Sequence, residues 1–426
     1  MTLEVTPGTA SRIGAVEFAG MRWTSASLAR RAAALAPGQP FDPGEVRRAR
    51  GRLLDLGVLT GAGVTTTERP DGTTAVTFTA TEAPRFSLAY GVRWESDQGL
   101  GAVVDFADRN LFGRALTLGL RGLYTRNWSE PAPGEITSTL HELTSGRAFL
   151  AVPDVVGTGV TFEVFGEGRR ELSWGGLVTD RIEAAIQFSR PVGRGATARI
   201  YGRYRDTHLY EEEPDPFFPF DLRISHPYVG IQAIVDRRDD PVLTWRGWMA
   251  TLDLSGSATF LGSDYEYLRA FAQLNTFTPF ALASRRMTWA QSVRVGMANS
   301  FDQELLPDAR FRAGGEFSVR GYPTEGLGPV EVLGDLVTPV GGSALLVINE
   351  ELRVPLPLDL TGLVFVDAGQ VWAETSEFGR DLATALGLGL RASTPLGLFR
   401  FDVAYPFDPR PGDASYKLYF GFGNVF

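Results

Sequence analysis

The sequence of 426 residues contains no cysteine and only three histidines. The absence of cysteine excludes disulfides, thiolate zinc sites and cysteine nucleophiles. His141, His208 and His226 do not stand at the spacing of metal ligands from one another. We also find no Gly-x-Ser-x-Gly elbow, no Gly-x-Gly-x-x-Gly and no phosphate-binding loop. We therefore expect neither an enzyme nor a bound cofactor or metal ion.

Basic residues are of almost one kind. Lys417 is the only lysine, so arginine carries nearly all of the positive charge. The formal net charge is −9 and the isoelectric point is about 5.1. A protein that binds nucleic acid usually shows a basic stripe or a basic isoelectric point. The charge balance therefore argues against a nucleic-acid partner.

Long apolar runs are missing as well. No stretch of about 18 residues is free of charge, so we expect no transmembrane helix. The first five residues carry neither a basic nor an apolar segment of a signal peptide. This start fits either a cytoplasmic protein or a shortened mature chain.

The part of the chain before residue 85 shows the pattern of a small α+β domain. Asp42–Glu45 reads as a helix N-cap, a proline at the first helical position and a capping-box glutamate. Gly57 stands where a left-handed glycine ends a helix. An earlier helix begins near Ser25, and apolar runs predict strands at residues 13–18, 64–68 and 75–81. The expected order is strand, helix, helix, strand, strand.

The second predicted helix carries a basic run, Arg47–Arg52, on the face away from its apolar residues. Two interpretations stay open for this run: a solvated helix face, or a docking surface for a partner.

After residue 85 the apolar residues recur at every second position. Phe86, Leu88 and Tyr90 alternate with small residues, and similar alternation recurs to the C-terminus. Repeated alternation with aromatic residues near the strand ends is typical of a transmembrane barrel. The 342 residues from 85 to 426 allow about 21 residues for each of about 16 strands, and a membrane strand needs about 9 to 11. A soluble β-sandwich rarely sustains this pattern over so many hairpins.

The connections between these strands alternate in length. Short connections are expected at residues 153–157, 191–195 and 395–397, and long ones at 125–138, 207–225 and 298–342. Outer-membrane barrels have short periplasmic turns and long external loops. The predicted fold is therefore an all-β transmembrane barrel of about 16 antiparallel strands at residues 85–426, preceded by the small domain, with both termini in the periplasm.

The segment Val319-Arg320-Gly321-Tyr322 resembles the VRGF/VRGY motif of the outer-membrane protein assembly superfamily, which includes BamA, TamA and the two-partner secretion transporters. The strand count places it in the sixth external loop, where that family carries it. The stretch Leu363–Trp372, with Asp367 and Gly369, is similar to the family's aromatic-x-Asp-x-Gly strand. Residues 11–84 resemble a POTRA domain in their element order, and residues 1–10 resemble the end of a preceding POTRA domain or a linker.

The resemblance implies a bacterial outer-membrane protein with its POTRA domain in the periplasm. The implied function is assembly of β-barrel proteins: the first and last strands part and pair with a strand of the client. The implied partners are the lipid bilayer, unfolded outer-membrane or secreted clients, and a periplasmic or inner-membrane-anchored accessory protein that binds the POTRA domain. Two alternatives stay open: a two-partner-secretion pore for an unfolded exoprotein, and a plain porin or anchor.

Strand parity identifies partners for Arg320. Asn349, Glu351 and Arg353 share one face of a strand whose other face is apolar, so the polar face must line the lumen. Asp367 cannot face lipid without a large penalty. If the long loop folds inward, Arg320 is expected to form charge-assisted bonds with Asp367, Glu351 or both. The alternative is a solvated Arg320 in an external loop.

The resemblance also implies a lateral gate between the first and last strands. Glycines weaken a strand because they offer no side-chain contacts, and two of them lie in the last strand. The residues expected at the gate are Phe86, Leu88 and Tyr90 in the first strand, and Leu418, Phe420, Gly421, Phe422, Gly423 and Phe426 in the last.

Overall fold

The structure is a computed structural model of the chain. It describes residues 11–96, 98–129, 140–155, 158–173, 176–214, 220–282, 285–301, 304–333, 336–395, 397–409 and 413–423. Among these residues, no helix is both long and apolar enough to cross a membrane.

The N-terminal region forms a three-stranded sheet covered by two helices, in the predicted order. The strand Thr73–Glu82 lies in the centre, parallel to Arg12–Ala19 and antiparallel to Leu59–Glu68. Ala29, Leu53 and Phe78 are fully buried between the helices and the sheet. The bounds are β1 Arg12–Ala19, α1 Ala26–Ala33, α2 Pro43–Asp55, β2 Leu59–Glu68 and β3 Thr73–Glu82.

Helix α2 begins as its sequence predicts, but without the capping box. The Asp42 carboxylate accepts a 2.7 Å hydrogen bond from the Gly44 N–H, and Pro43 occupies the first turn. Glu45 does not reach back to the cap. Its carboxylate pairs instead with Arg48 at 2.7 Å and Arg52 at 2.9 Å, so the capping-box prediction was wrong because two guanidinium groups compete for the same carboxylate.

Arginines of the basic run on α2 form hydrogen bonds within their own domain. Arg50 donates to the Ala62 carbonyl at 2.6 Å, and Arg52 donates to the Ala32 carbonyl at 3.0 Å. These bonds support neither a fully solvated face nor a free docking surface.

The rest of the chain forms a closed barrel of 16 antiparallel strands, which confirms the predicted fold class. Consecutive strands pair along the barrel, and the last strand pairs with the first to close it. Single 3-10 turns lie at Thr259–Leu261 and Thr375–Glu377. The barrel strands, with the hairpin β15–β16 that lies outside the barrel wall, are β4 Phe86–Glu95, β5 Gly99–Leu111, β6 Leu116–Arg126, β7 Leu140–Val152, β8 Thr161–Ser173, β9 Leu177–Gly193, β10 Ala196–Glu211, β11 Asp221–Asp236, β12 Gly247–Ser257, β13 Tyr267–Leu282, β14 Arg285–Ser300, β15 Val330–Leu333, β16 Leu336–Pro339, β17 Ala344–Pro355, β18 Leu360–Trp372, β19 Ala383–Thr394, β20 Gly397–Pro406 and β21 Lys417–Gly423.

The alternation of the sequence becomes the two faces of the barrel wall. Leu88, Ile182 and Leu388 are 63–65% exposed and point outward, whereas Asp367 and Asp402 are buried on the lumenal side. Large apolar side chains exposed in this pattern suit contact with lipid and would be unfavourable in water. The wall is therefore built to stand in a bilayer.

Two of the predicted long connections differ in the structure. The expected loop at 207–225 is shorter, because β10 continues to Glu211 and β11 begins at Asp221. Main-chain pairing between the two strands continues as far as Tyr210 opposite Asp221, so both strands extend into the segment that was expected to be a loop. The connection after β14 contains the hairpin β15–β16, which was not predicted.

A glutamate at the end of β3 organises the chain between β1 and α1. The Glu82 carboxylate accepts hydrogen bonds from the main-chain N–H groups of Arg22 at 2.9 Å, Trp23 at 3.0 Å and Thr24 at 2.7 Å. Partial burial alone would raise the pKa of Glu82, but the bonds from Thr24, Arg22 and Trp23 outweigh it and bring the pKa below the ordinary 4.5.

We predict that Glu82→Gln destabilises the N-terminal domain by about 1 kcal/mol at neutral pH, because an amide accepts these bonds less strongly than a carboxylate. A lowered pKa means that the charged group stabilises the fold above 4.5 and that this contribution is lost as the pH falls through the folded-state value. Hydrogen exchange of β3 amides at neutral and acidic pH measures the effect. Glu68→Gln, at an exposed position of the same sheet, is the matched control; a Glu82→Gln effect that is equal at both pH values would contradict the prediction.

Candidate functional site

The described residues of the connection between β14 and β17, which are 301, 304–333 and 336–343, fold into the barrel, and we call them the inward loop. β14 and β17 are the eleventh and twelfth barrel strands, so this connection is the sixth long one, as the motif required. Val319, Arg320 and Tyr322 are 5% exposed or less. They contact residues of β17 to β20, so the motif lies against the lumenal wall.

Arg320 is bound to Asp367 through two parallel hydrogen bonds. Its Nε lies 2.7 Å from one carboxylate oxygen, and one of its terminal nitrogens lies 2.9 Å from the other. Another nitrogen lies 3.0 Å from Glu351. The guanidinium also stacks on the ring of Phe365, with 3.4 Å between its central carbon and the ring centroid. The structure thus brings Arg320 together with both carboxylates named from the sequence.

Asp367 is fully buried, and its carboxylate is saturated by donors. Besides the Arg320 side chain, it accepts the Arg320 main-chain N–H at 3.1 Å and the Asn349 side-chain amide at 2.8 Å. Asn349 also donates to the Ser318 carbonyl at 2.7 Å. Burial of a charge is costly unless its partners are complete. The partners of Asp367 are complete. This one carboxylate therefore binds both the side chain and the main chain of Arg320.

Sequence reasoning missed a third carboxylate in this cluster. Asp402 on β20 lies 3.6 Å from Arg320, and it binds Arg391 of β19 through two bonds of 2.6 and 2.8 Å. Arg353 in turn binds Glu351 at 2.8 Å. Asp402 occupies a polar position in an alternating strand, so the parity argument that found Asp367 could also have found it.

The other motif residues fix the position of the loop around Arg320. Gly321 has a φ of +93°, and a side chain there would meet Pro406 and Ala385 at 3.1–3.2 Å. The Tyr322 hydroxyl donates to the Thr384 carbonyl at 2.9 Å. Val319 packs so closely on Gly369 that a Cβ at position 369 would lie 2.8 Å from it. Each residue of the motif therefore makes its own steric or polar contribution to the position of the loop.

The predicted gate strands meet in a short seam. In the described part of the two strands, five residue pairs join β21 to β4, from Tyr419 opposite Glu95 to Gly423 opposite Gly91. Phe420 and Phe422 lie opposite Trp94 and Val92. Two other residues assigned to the gate also lie at the seam. The ring centroid of Tyr90 is 6.5 Å from that of Phe422, and Gly421 lies opposite Arg93.

The remaining gate residues lie beyond these pairs. Leu418 contacts the first strand's end, where its carbonyl accepts the Ser96 N–H at 3.1 Å. Phe86 and Leu88 are in β4 with exposed side chains, outside the five pairs. Phe426 lies outside the described residues.

The inward loop is bonded to both strands of the seam, a feature that the sequence did not reveal. The Gly321 N–H donates to the Tyr419 hydroxyl of β21 at 2.9 Å. The Thr324 hydroxyl lies 3.3 Å from the Glu95 carboxylate of β4. Tyr419 and Glu95 are directly opposite each other in the seam. The loop therefore bridges the seam from the lumenal side.

A second anchor holds the other end of the inward loop. The Asp308 carboxylate lies 2.7 Å from Arg181 of β9 and accepts the Thr207 hydroxyl of β10 at 2.6 Å. Leu305 and Leu306 are buried beside it in an apolar cluster with side chains of β10 to β14. Sequence reasoning missed Asp308, since nothing local links position 308 to strands more than a hundred residues earlier.

We predict that Asp308→Asn frees the first part of the loop while the motif stays in place. Loss of the charge leaves the Arg181 guanidinium with a weaker acceptor, at a cost of about 1–3 kcal/mol. Trypsin should then cut after Arg310 faster, by about fivefold or more. Glu325→Gln, at an exposed position of the same loop, is the control. An unchanged cleavage rate in Asp308→Asn would show that the apolar cluster alone holds this end.

Nothing in this site indicates catalysis. In the part of the chain that the structure describes, no three His, Asp or Glu side chains are grouped as for a metal ion. The arrangement instead offers buried charge pairs that hold a loop and a short strand pairing that the loop bridges.

Comparisons with known proteins agree with the fold of the chain. The chain is 22% identical to the outer membrane protein assembly factor BamA of Neisseria meningitidis serogroup B, over its whole length and 58% of that protein. It thus spans less than two thirds of that relative. The crystal structure of BamA from Haemophilus ducreyi lacking POTRA domains 1–3 has a similar fold, with a TM-score of 0.79 at 18% identity over 98% of this chain and 85% of that one. CdiB from Acinetobacter baumannii follows, with a TM-score of 0.65 at 15% identity over 97% and 74%.

Two family descriptions match the chain directly. Residues 11–83 match the POTRA surface antigen repeat, and residues 110–426 match the Omp85 superfamily domain. The family expected from the motif at Val319–Tyr322 is confirmed. A POTRA domain followed by a closed barrel that carries this motif on an inward loop makes the chain a member of the Omp85 superfamily.

Proposed function

We propose that the protein inserts β-barrel clients into the outer membrane, and that its seam between β4 and β21 opens to receive a client strand. The observation that carries this proposal is the shortness of the seam. Among the described residues, which end at Gly423 in β21, five residue pairs join β4 to β21, against sixteen between β13 and β14. Fewer main-chain hydrogen bonds make opening less costly, and an open seam exposes two edges to which another strand can add.

Glycine weakens the seam further. Gly423 lies opposite Gly91, and Gly421 lies opposite Arg93. Cross-strand side-chain contacts stabilise a sheet by about 0.2–1 kcal/mol per pair, and a glycine contributes none. Two of the five pairs therefore depend on main-chain bonds alone.

The inward loop supports a controlled opening. Its bonds to Tyr419 and Glu95 add to the closure of the seam from inside. Because Gly321 follows Arg320 directly, release of Arg320 from Asp367 would also loosen the bond to Tyr419. We propose that the charge cluster holds the loop, and that the loop holds the seam.

Family membership supports the same reading. Omp85 proteins insert proteins into the outer membrane or translocate them across it, and the family and the barrel together indicate a bacterial outer-membrane location. They are not enzymes. The relative from Neisseria is named an assembly factor; because the chain spans 58% of it, that activity is carried over here as a proposal. We further propose that the POTRA domain faces the periplasm, and that it recruits unfolded clients or an accessory protein there.

A secretion pore remains the alternative, with a plain porin or anchor as the third reading. Either channel needs an open lumen, whereas the inward loop fills part of it and is anchored at Arg320 and at Asp308. A pore would therefore have to release both anchors, but lateral opening needs only the loss of the loop's bonds to the seam. For this reason we favour the insertase.

A disulfide across the seam should stop client assembly. In this cysteine-free chain, Trp94→Cys with Phe420→Cys places two thiols on directly opposite residues of β4 and β21. The control pair, Phe401→Cys with Phe420→Cys, joins β20 to β21 and leaves the seam free. We expect the oxidised seam pair to lose assembly of a client barrel into liposomes and to regain it on reduction, while the control stays active. Full activity with the seam locked would eliminate lateral opening and favour the pore.

Arg320→Ala and Arg320→Lys should both impair assembly and increase proteolysis of the inward loop. Removing one partner of a buried ion pair costs about 3–5 kcal/mol when fully desolvated, and lysine lacks the planar fork that binds Asp367 at two points. Asp367→Asn should act in the same direction. The barrel should still form, as heat-modifiable gel mobility reports, because its strands close without the loop. Arg312→Ala, which removes an exposed ion pair of the same loop, is the control; wild-type behaviour of Arg320→Ala would rule out this role of Arg320.

A further inference from the structure

The barrel lumen contains a cavity of about 670 Å³ between the inward loop and strands β4, β13, β14 and β17. This volume is in the range of small-ligand sites. Apolar side chains from the strands and the loop form part of its wall, among them Phe271, Leu345 and Val347. Its charged lining consists of five arginines and three glutamates: Arg93, Arg269, Arg294, Arg310, Arg312, Glu95, Glu316 and Glu325.

Each of the three glutamates forms an ion pair with an arginine other than Arg269 and Arg294. Glu325 lies 3.1 Å from Arg312, and Glu316 lies 2.9 Å from Arg400. Glu95 lies 3.6 Å from Arg93. The carboxylates therefore leave a surplus of positive charge in the cavity.

That surplus is centred on Arg269 and Arg294. Within the described residues, neither guanidinium forms an ion pair within 4.0 Å; the carboxylates that act on them electrostatically from further away are Asp253 for Arg269 and Asp367 for Arg294. Arg269 stacks on the ring of Phe311, with 4.2 Å between its central carbon and the ring centroid. Arg294 donates to the Phe317 carbonyl, and its buried Nε has no acceptor in the described part of the chain. Both side chains are thus oriented, with donor groups left over.

Several other arginines of the lumen are paired with a carboxylate. Arg205 binds Glu183 at 2.7 Å, Arg181 binds Asp308 at 2.7 Å, and Arg391 binds Asp402 at 2.6 Å. Partly buried charges are normally paired, because an unpaired charge loses hydration without compensation. Two oriented but unpaired guanidinium groups that line the same cavity therefore point to an anion that the chain does not supply.

The arrangement on β13 indicates what else the ligand carries. Arg269, Phe271 and Gln273 stand at every second position and line the cavity together, and Arg294 of β14 lies opposite Gln273. The wall of the cavity thus presents an aromatic ring next to both arginines. A ligand that meets both features has an apolar ring next to its negative charge.

We propose that this cavity is a binding site for a small aromatic anion, whose phosphate or carboxylate is held by Arg269 and Arg294 and whose ring packs on Phe271. The site lies beside Glu95 and Thr324, where the inward loop meets the first seam strand. Its existence does not depend on whether the seam opens.

Phenyl phosphate is the probe, titrated at low salt into the full chain in an uncharged detergent and followed by calorimetry. Arg269→Gln with Arg294→Gln should weaken its binding by about tenfold or more, because charge-assisted bonds to the phosphate are lost. Arg199→Gln is the matched control: this arginine of β10 donates to Gln232 at 2.9 Å and does not line the cavity. Benzyl alcohol, which keeps the ring but not the charge, should bind far more weakly.

Heat-modifiable gel mobility establishes that each variant forms the barrel. If the double variant does not, Arg269→Gln and Arg294→Gln are measured separately, and each should weaken binding while the control does not. Equal affinity of the wild type and the variants, binding of benzyl alcohol as tight as that of phenyl phosphate, or no heat of binding at millimolar probe would each overturn the proposal.

Discussion

The ion pair between Arg320 and Asp367 is the interaction on which the position of the inward loop depends. Asp367 is fully buried, and it receives both the side chain and the main chain of Arg320. Glu351 and Asp402 come from two further strands, so the wall presents three carboxylates to one loop cation. Removal of the cation would leave these charges buried without their shared partner, which strongly disfavours any state in which the loop leaves.

The position of Arg320 also affects how the barrel closes. With Arg320 held, Gly321 is brought to the hydroxyl of Tyr419 in the last strand. Thr324, three residues further on, reaches Glu95 in the first strand. A seam of five pairs is thus supplemented by contacts that belong to a loop rather than to the sheet. The strength of the seam therefore depends on the state of the loop, and a client that displaced the loop would find a weaker seam.

The sequence was sufficient for the periodic features of the fold and for the two distant contacts of Arg320 with Asp367 and Glu351. Alternation predicted the 16-stranded barrel, and parity together with the motif predicted the contacts of Arg320. Asp308 and the loop's bonds to Tyr419 and Glu95 could not be predicted, because they join residues far apart in sequence at points that no pattern marks. Local rules also failed where side chains competed: Glu45 left the cap of α2 for two arginines.

Hydrogen exchange at the seam tests most directly whether the charge cluster holds the seam through the loop. The Asp367→Asn variant and the wild type are compared in lipid nanodiscs, with the amides of residues 419–423 in β21 as the reporters. Exchange in β13 and β14, which are joined by sixteen pairs, serves as the internal reference. We predict faster exchange at residues 419–423 in the variant and unchanged exchange in the reference strands. Equal seam exchange in the two proteins, with the loop shown to be released, would contradict the account.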